Sequence, residues 1–194
     1  MLAIEIRFPA GKYHATPWNR QVNEGTVEWP PAPWRILRTL ISTRYHKLQA
    51  EIDEETIRKI IENFSASPQY FLPKASLGHT RHCMPLYRNT TLVIDTFAAI
   101  DRESRLIIEW PQVDLSIEEM SALSKLLYRI GYLGRAESWI ETGLREGPLV
   151  QANCIALNED STLPDDFEGI HTLVTMPSQE YLNRRQKEIE AKRS

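Results

Sequence analysis

Residues 28–47, EWPPAPWRILRTLISTRYHK, join a proline-stiffened, tryptophan-rich entry to a basic helix, and the rest of the chain is best interpreted from this stretch outward. Prolines at positions 30, 31 and 33 keep the approach extended. Proline is well tolerated at the first helical position, where the amide has no intrahelical partner. The pattern therefore predicts a helix that begins near Pro33. Its apolar residues recur at helical spacing, at Trp34, Leu37, Ile41, Tyr45 and Leu48.

Basic side chains of the same helix lie largely between the apolar positions, at Arg35, Arg38, Arg44, His46 and Lys47. One face should pack against the protein, with Trp34, Leu37 and Ile41 buried, while another face presents positive charge. The same pattern is also typical of an ordinary amphipathic helix with solvated arginines. The helix alone therefore does not decide between a surface and a binding site.

Charge is distributed unevenly along the 194 residues, which are 42% hydrophobic and 25% charged, as is typical of a globular chain. The net charge of -3 argues against a protein that coats nucleic acid nonspecifically. Residues 1–49 carry seven Lys/Arg against three Asp/Glu, residues 65–100 carry three against one, and residues 101–194 carry eleven against seventeen. If the two basic blocks meet in space, they form a local basic groove on an acidic body.

Cysteine content and hydropathy favour a cytoplasmic protein. Cys83 and Cys154 are too few for a disulfide scaffold and lack zinc-motif spacing, so both are predicted to be free thiols in a reducing compartment. The opening MLAIEIRFPAGKYH is too polar for a signal peptide, and no apolar segment approaches the roughly 20 residues of a membrane span. We expect no membrane partner and no cofactor.

Three helices are predicted from the spacing of apolar and capping residues. The first begins near Pro33, and the second follows Asp53 as its N-cap. The third covers residues 115–130, where Ser116 and Glu119 fit a capping box and Gly131 fits a C-terminal cap. The second helix should bury Ile57, Ile60, Ile61 and Phe64.

Strands are predicted around these helices, beginning with Leu2–Phe8, where apolar and charged residues alternate. Long irregular segments are expected at residues 9–33 and 73–90. Further strands are predicted at residues 70–72, 91–100, 105–110, 137–142 and 149–157, with 91–100 and 105–110 forming a pair. The order favours an α+β, ferredoxin-like (RRM-like) antiparallel sheet, with helices on one face and long inserted loops.

Two regions are predicted from this order. Residues 1–157 form the ferredoxin-like domain with its inserted loops. Residues 158–194 combine an acidic linker with a helix-prone segment that has almost no apolar face. Such a segment does not fold alone, so it is interpreted as a linker and the start of a C-terminal segment.

Residues 78–84, GHTRHCM, form the most suggestive chemical cluster. His79, His82 and Cys83 would need further convergent ligands to hold a metal, and no CxxC pair stands elsewhere, so no metal site is predicted. Imidazoles beside Arg81 and Arg88 suit contacts to RNA phosphates and unpaired bases. The alternative is a loop held together by histidine hydrogen bonds.

Two further segments offer candidate residues. Residues 12–14, KYH, contain the residue types that metal-independent RNA cleavage uses, and His14, together with His82, is a candidate general acid or base. Gly131 and Gly134 bracket a turn that lies at the wrong helix end for an anion, so a helix cap is the preferred interpretation there. Arg135 remains a candidate phosphate contact.

Four blocks in the same order carry a family resemblance: MLAIEIRFPAGKYHATPW, EWPPAPWRILRTL, GHTRHCMPL with the later DTFAAID, and GYLGRAESW. Together they resemble the N-terminal half of the GSU-type Csb family of type I-U (I-G) CRISPR systems. Members of that family resemble a fusion of a Cas-five-like subunit, which caps the 5′ handle of CRISPR RNA, with a Cas-six-like endoribonuclease. The chain ends at Ser194, so we expect the processing domain to be absent.

The resemblance implies a RAMP protein that holds CRISPR RNA at one end of a type I Cascade effector for antiviral defence, with the backbone and large Cascade subunits as partners. Under this hypothesis the RNA-binding residues are Trp18, Arg20, Arg35, Arg38, His79, Arg81, His82, Arg88 and Arg135. One alternative is a metal-independent endoribonuclease that processes precursor CRISPR RNA through His14 or His82. Another is a module that mainly docks other proteins.

Overall fold

The computed structural model describes residues 1–18, 20–21, 24–85, 90–146 and 151–156. These residues form a mixed α and β architecture with antiparallel sheets. In chain order the elements are β1 (Leu2–Arg7), β2 (Lys12–Tyr13), α1 (Pro33–Lys47), α2 (Glu54–Asn63), β3 (Gln69–Phe71), β4 (Ala75–Pro85), β5 (Thr90–Ile100), β6 (Arg105–Trp110), α3 (Ile117–Arg129), β7 (Glu141–Leu144) and β8 (Cys154–Ile155).

The larger sheet has the strand order β7-β1-β6-β3-β8, and every neighbouring pair is antiparallel. Alternation along β1 explains its two faces, since Ile4 and Ile6 are buried while Glu5 and Arg7 are only partly buried. Ile4 and Ile6 share one hydrophobic core with Leu37 of α1 and Leu126 of α3. The helices therefore cover the apolar face of this sheet, as predicted.

The other face of the larger sheet carries an ion-pair ladder. The guanidinium of Arg7 lies 2.6 Å from a carboxylate oxygen of Glu141 and 3.4 Å from one of Glu103. The carboxylate of Glu5 accepts from Arg105 at 2.5 Å and lies 3.5 Å from Arg145. Arg7, Arg105 and Arg145 are thus each matched with a carboxylate of a neighbouring strand or turn.

The smaller sheet has the order β2-β5-β4, and its hairpin β4–β5 corrects two sequence predictions. Residues 75–85, predicted to be irregular, form a strand in register with β5 from Ala75↔Ile100 to Pro85↔Thr90. Most of β4 is exposed, so its sequence shows no apolar alternation. The predicted pairing of 91–100 with 105–110 is also wrong, because the turn that follows Ile100 leads the chain from one sheet into the other.

The helix boundaries follow the predicted caps. Helix α1 begins at Pro33, and Asp53 accepts a hydrogen bond from the Thr56 amide at the start of α2. Helix α3 begins with the predicted capping box between Ser116 and Glu119. It ends at Arg129, one residue before the predicted end, but the predicted cap at Gly131 is wrong, because Ile130 is extended and the left-handed glycine of this region is Gly134, with φ +85°.

The buried face of α1 is rotated from the predicted one. Its buried residues are Pro33, Ile36, Leu37, Leu40, Thr43 and Arg44, whereas Trp34 and Ile41 are only partly buried and Tyr45 is 47% exposed. Arg44 is buried because its Nε donates to the carbonyl oxygen of Ile52 at 2.9 Å, beyond the end of the helix. Burial of this cation is possible only with such a partner. A cationic side chain that the sequence predicts on the outer face therefore lies in the interior.

Outside the described residues lie the predicted linker and C-terminal segment at 158–194. Both cysteines are free, as predicted.

Within the described part of the chain, none of the helices combines the length and the apolar character needed to cross a membrane.

Candidate nucleic-acid interface

A cleft with a volume of about 750 Å³ lies between α1, the segment that follows β2, and the residues after α3. One side of α1 forms its wall, because Arg35, Arg38, Ser42 and His46 recur at the three- and four-residue spacing of a helix face. Its other lining residues include Thr16, Pro17, Trp18, Arg20, Glu28, Trp34, Lys47, Tyr132 and Gly134. The structure therefore brings together Trp18, Arg20, Arg35 and Arg38, four of the predicted RNA-binding residues.

Glu28 organises the wall of the cleft. It is 8% exposed, and its Oε1 accepts from the Tyr13 hydroxyl at 2.9 Å, the Ala32 amide at 2.9 Å and the Arg35 Nε at 2.7 Å. Its Oε2 accepts from Nη2 of Arg35 at 3.0 Å, and the same Nη2 donates to the carbonyl oxygen of Thr16 at 2.8 Å. One carboxylate thus fixes β2, the entry to α1 and a cleft arginine together.

The ionisation of these partners follows from their surroundings. Burial opposes the charged form of Arg35, but hydrogen bonds and attraction from Glu28 outweigh it and raise the pKa of Arg35. Burial, reinforced by Glu28, also raises the pKa of Tyr13 well above its ordinary value. Arg35 therefore stays charged and Tyr13 stays neutral, and the charge of Arg35 is largely balanced inside the protein.

Other cations of the cleft are more accessible. Arg38 is exposed, and its guanidinium lies 5.9 Å from the centre of the Trp34 ring. Arg20 forms an exposed ion pair with Glu24 at 3.2 Å, a type of contact that solvent weakens. The ammonium group of Lys47 donates to the carbonyl oxygen of Arg129 at 2.8 Å. That contact balances no charge, so Arg38 and Lys47 supply net positive charge here.

Aromatic side chains lie exposed beside these cations. Trp18 is 63% exposed and Tyr132 is 51% exposed, and both line the cleft. Exposed aromatic rings next to arginines can stack on the flat faces of a ligand. Positive charge combined with aromatic surfaces is the usual composition of sites for single-stranded nucleic acid.

A second group of predicted residues lies on the β4–β5 hairpin. His79 and Arg81 are exposed on β4, opposite Thr96 and Ile94 of β5. The segment that lines the cleft also reaches this hairpin, since the hydroxyl of Thr96 donates to the carbonyl oxygen of Thr26 at 3.1 Å. Residues 24–28, which belong to the first basic block, thus contact the second block at Thr96. The side chain of His82 and all of Arg88 lie outside the described residues.

The remaining predicted contact, Arg135, lies 3.4 Å from a carboxylate oxygen of Asp95 on β5. Its side chain is 39% exposed. It follows Gly134 in the turn that borders the cleft, and its backbone amide donates to the carbonyl oxygen of His14 at 2.9 Å. Arg135 therefore links the turn to the hairpin and keeps part of its guanidinium accessible.

The catalytic candidate His14 lies in a closed environment. It is 3% exposed, its Nδ1 lies 2.7 Å from Oε1 of Glu137, and its backbone amide donates to the Ser138 hydroxyl at 2.7 Å. These contacts fasten the end of β2 to the segment 131–140. A general acid or base must reach its substrate, so this geometry favours a structural role for His14. Catalysis by His14 or His82 stays a prediction.

In the described ranges, no group of three or more His, Cys, Asp or Glu side chains is placed to hold a metal ion. The cleft itself is lined by arginine, lysine and aromatic groups, and its cationic side chains repel metal ions. Its chemistry suits phosphate and bases instead.

Sequence reasoning missed Tyr132, His46 and Lys47 as cleft residues. For His46 a signal was present, since it stands eight residues after Arg38 on the same helix face. For Tyr132 the sequence contains no such signal, because the glycines around it indicate only a helix cap.

No protein-family model matches this chain, and a search of curated proteins finds no match to it either.

Proposed function

We propose that this chain is a noncatalytic subunit that binds single-stranded RNA through the cleft. The observation that carries the proposal is the exposure of Trp18 and Tyr132 on the lining of the same cleft as Arg38. Cations hold phosphates and supply affinity, while aromatic rings accept unpaired bases. Since the net charge is -3, binding depends on this local arrangement rather than on overall attraction.

A ferredoxin-like fold is part of the proposal. If β1, β3, β6 and β7 are taken as the four strands of such a unit, the order is the fourth, first, third and second, and all pairs are antiparallel. Helices α1 and α2 connect the first strand to the second, and α3 connects the third to the fourth. This β-α-β-β-α-β succession supports the assignment. The hairpin β4–β5 is then an insertion between the second and third strands.

The biological setting that we propose is CRISPR defence. The four sequence blocks that resemble the GSU-type Csb family support a subunit that recognises the 5′ handle of CRISPR RNA and helps to assemble a type I Cascade complex. Three of these blocks supply cleft residues, among them Trp18 in the first, Arg38 in the second and Tyr132 in the fourth. CRISPR RNA and the other Cascade subunits are the partners that this proposal requires.

Fluorescence anisotropy with labelled single-stranded repeat RNA tests RNA binding. Trp18→Ala and Arg38→Ala should each weaken binding by several-fold, because they remove a stacking surface and a phosphate contact. Arg58→Ala is the matched control, since Arg58 is an exposed arginine of α2 that pairs with Glu55 and Glu62 away from the cleft. Equal losses in all three variants, or no binding by the wild type, would contradict the proposal.

Two further measurements separate the alternatives. Discrete cleavage of labelled repeat RNA in EDTA, lost in His14→Ala or His82→Ala, would establish the endoribonuclease instead. Equal affinity for handle RNA and a scrambled oligonucleotide at moderate salt would remove handle recognition and favour a protein-docking module.

A further inference from the structure

Two aromatic residues stand side by side in the turn that follows α3. Tyr132 and Trp139 form an isolated antiparallel bridge. The flanking hydrogen bonds run from the Ile140 amide to the Gly131 carbonyl oxygen and from the Leu133 amide to the Ser138 carbonyl oxygen, both at 3.1 Å. Tyr132 and Trp139 are therefore the non-hydrogen-bonded pair, whose side chains project from the same side at close spacing.

Both side chains of this pair project into solvent. Tyr132 is 51% exposed and Trp139 is 62% exposed, whereas their neighbours Leu133, Ser138 and Ile140 are buried at 2%, 0% and 7%. The turn thus buries alternate residues and displays the two aromatic ones. The exposed part of each ring would gain further burial if a ligand covered it.

The turn that displays them is firmly held. A Cβ at Gly134 would lie 2.5 Å from the carbonyl oxygen of His14, so the two backbones are packed without space for a side chain. The Ser138 amide donates to the Arg135 carbonyl oxygen at 2.9 Å, and the Arg135 amide donates to that of His14 at 2.9 Å. Because the turn is rigid, its aromatic rings can bind a ligand at a small cost in conformational entropy.

Tyr132 also lines the cleft, whereas Trp139 lies beyond its lining. We propose that Tyr132 and Trp139 form a stacking platform for two successive unpaired bases of a single-stranded RNA whose phosphates are held by the cleft cations. This assignment rests on the proposed RNA binding. It extends that proposal, because it gives the RNA a path out of the cleft, across Tyr132 to Trp139. The neighbouring cations favour a nucleic acid over an uncharged protein surface as the occupant.

Anisotropy with a uridine-rich single-stranded RNA and with an abasic oligonucleotide of equal length tests the platform. Tyr132→Ala and Trp139→Ala should each weaken binding of the uridine-rich RNA about tenfold and leave the salt dependence unchanged, since neither side chain is charged. Both should bind the abasic strand like the wild type, and Tyr132→Phe should retain affinity. Tyr128→Ala is the matched control, because Tyr128 is an 82% exposed tyrosine outside the cleft lining.

The outcomes separate the two proposals. If Arg38→Ala weakens RNA binding but Tyr132→Ala and Trp139→Ala do not, the cleft stands and the platform is refuted. If Tyr132→Ala and Trp139→Ala weaken binding of the abasic strand as much as binding of the uridine-rich RNA, stacking is refuted. The same holds if Tyr128→Ala weakens RNA binding as much as these two variants do. If the wild type binds neither strand, both proposals fall, and capture of another Cascade subunit by Tyr132 and Trp139 would replace them. Unchanged thermal midpoints confirm that the variants are folded.

Discussion

Glu28 and Arg35 are joined by two charged hydrogen bonds, 2.7 Å between Oε1 and Nε and 3.0 Å between Oε2 and Nη2. The pair spans Pro30, Pro31 and the first residue of α1, Pro33, and holds the entry segment against the helix. Because Arg35 also donates to the carbonyl oxygen of Thr16, its donors are largely used within the protein. Arg35 builds the wall of the cleft, and Arg38 supplies its accessible charge.

Glu28→Gln should lower the free energy of unfolding by about 2 kcal/mol, because it removes the charge that balances Arg35 and weakens hydrogen bonds to a buried group. Urea denaturation measures the change. Glu24→Gln is the matched control, since its exposed pair with Arg20 should contribute less than about 0.5 kcal/mol. Equal effects of the two changes would mean that Glu28 does not organise the cleft wall.

Arg35→Met and Arg38→Met should differ in what they damage. Arg35→Met leaves Glu28 buried without its cation, so stability should fall by about 2 kcal/mol. Arg38→Met should change stability by less than about 0.5 kcal/mol. It should instead weaken RNA binding and reduce the slope of log affinity against log salt by about 0.7, the contribution of one phosphate contact to a single strand. Unfolding by Arg38→Met would show that Arg38 belongs to the core.

Gly134→Ala should destabilise the protein by about 3 kcal/mol, because it places a side chain on backbone with φ +85° and within 2.5 Å of the His14 carbonyl oxygen. Gly131→Ala is a close control. A Cβ there meets nothing within 4 Å, so its effect should stay within about 0.5 kcal/mol. Equal urea midpoints for the two variants would contradict the tight packing of the turn on His14.

Glu137 gives a prediction about pH. Burial alone would raise the pKa of its carboxyl, but its backbone hydrogen bond and the nearby His14 and Arg135 outweigh burial and lower this pKa. A lowered folded pKa contributes stability above the unfolded pKa, and this contribution is lost as pH falls through the folded pKa. The stability difference between wild type and Glu137→Gln should therefore shrink as pH falls below about 4.5, the ordinary pKa of a glutamate carboxyl. A difference that persists at pH 3 in urea titrations would contradict this.

Local signals in the sequence predicted the helices well. The caps at Asp53 and Ser116 and the proline start of α1 depend on hydrogen bonds within one turn, so a short window of sequence contains their cause. The buried face of α1 could not be predicted from such local signals. Arg44 is buried because of a carbonyl oxygen eight residues later, and periodicity places it with the solvated arginines.

Pairing between strands was less predictable. The polar turn after Ile100 was recognised, but whether its two strands pair depends on β1 and β4, which lie far away in the chain. Strand β4 itself has exposed side chains along much of its length, so alternation could not reveal it. The cleft shows the same limit. The spacing of residues along α1 predicts the helix face that lines it, whereas Tyr132 lines the cleft only because a turn distant in sequence folds against α1.

The ion-pair ladder of the larger sheet affects which face of the protein attracts a polyanion. Each of its cations lies within 3.5 Å of a carboxylate, so opposite potentials cancel within about one Debye length, roughly 8 Å in physiological salt. The paired cations of the ladder therefore add little attraction for a polyanion. A nucleic acid repelled at long range by the net charge of -3 would gain attraction only when the cleft is turned toward it. The ladder thereby favours one orientation of encounter without touching the ligand.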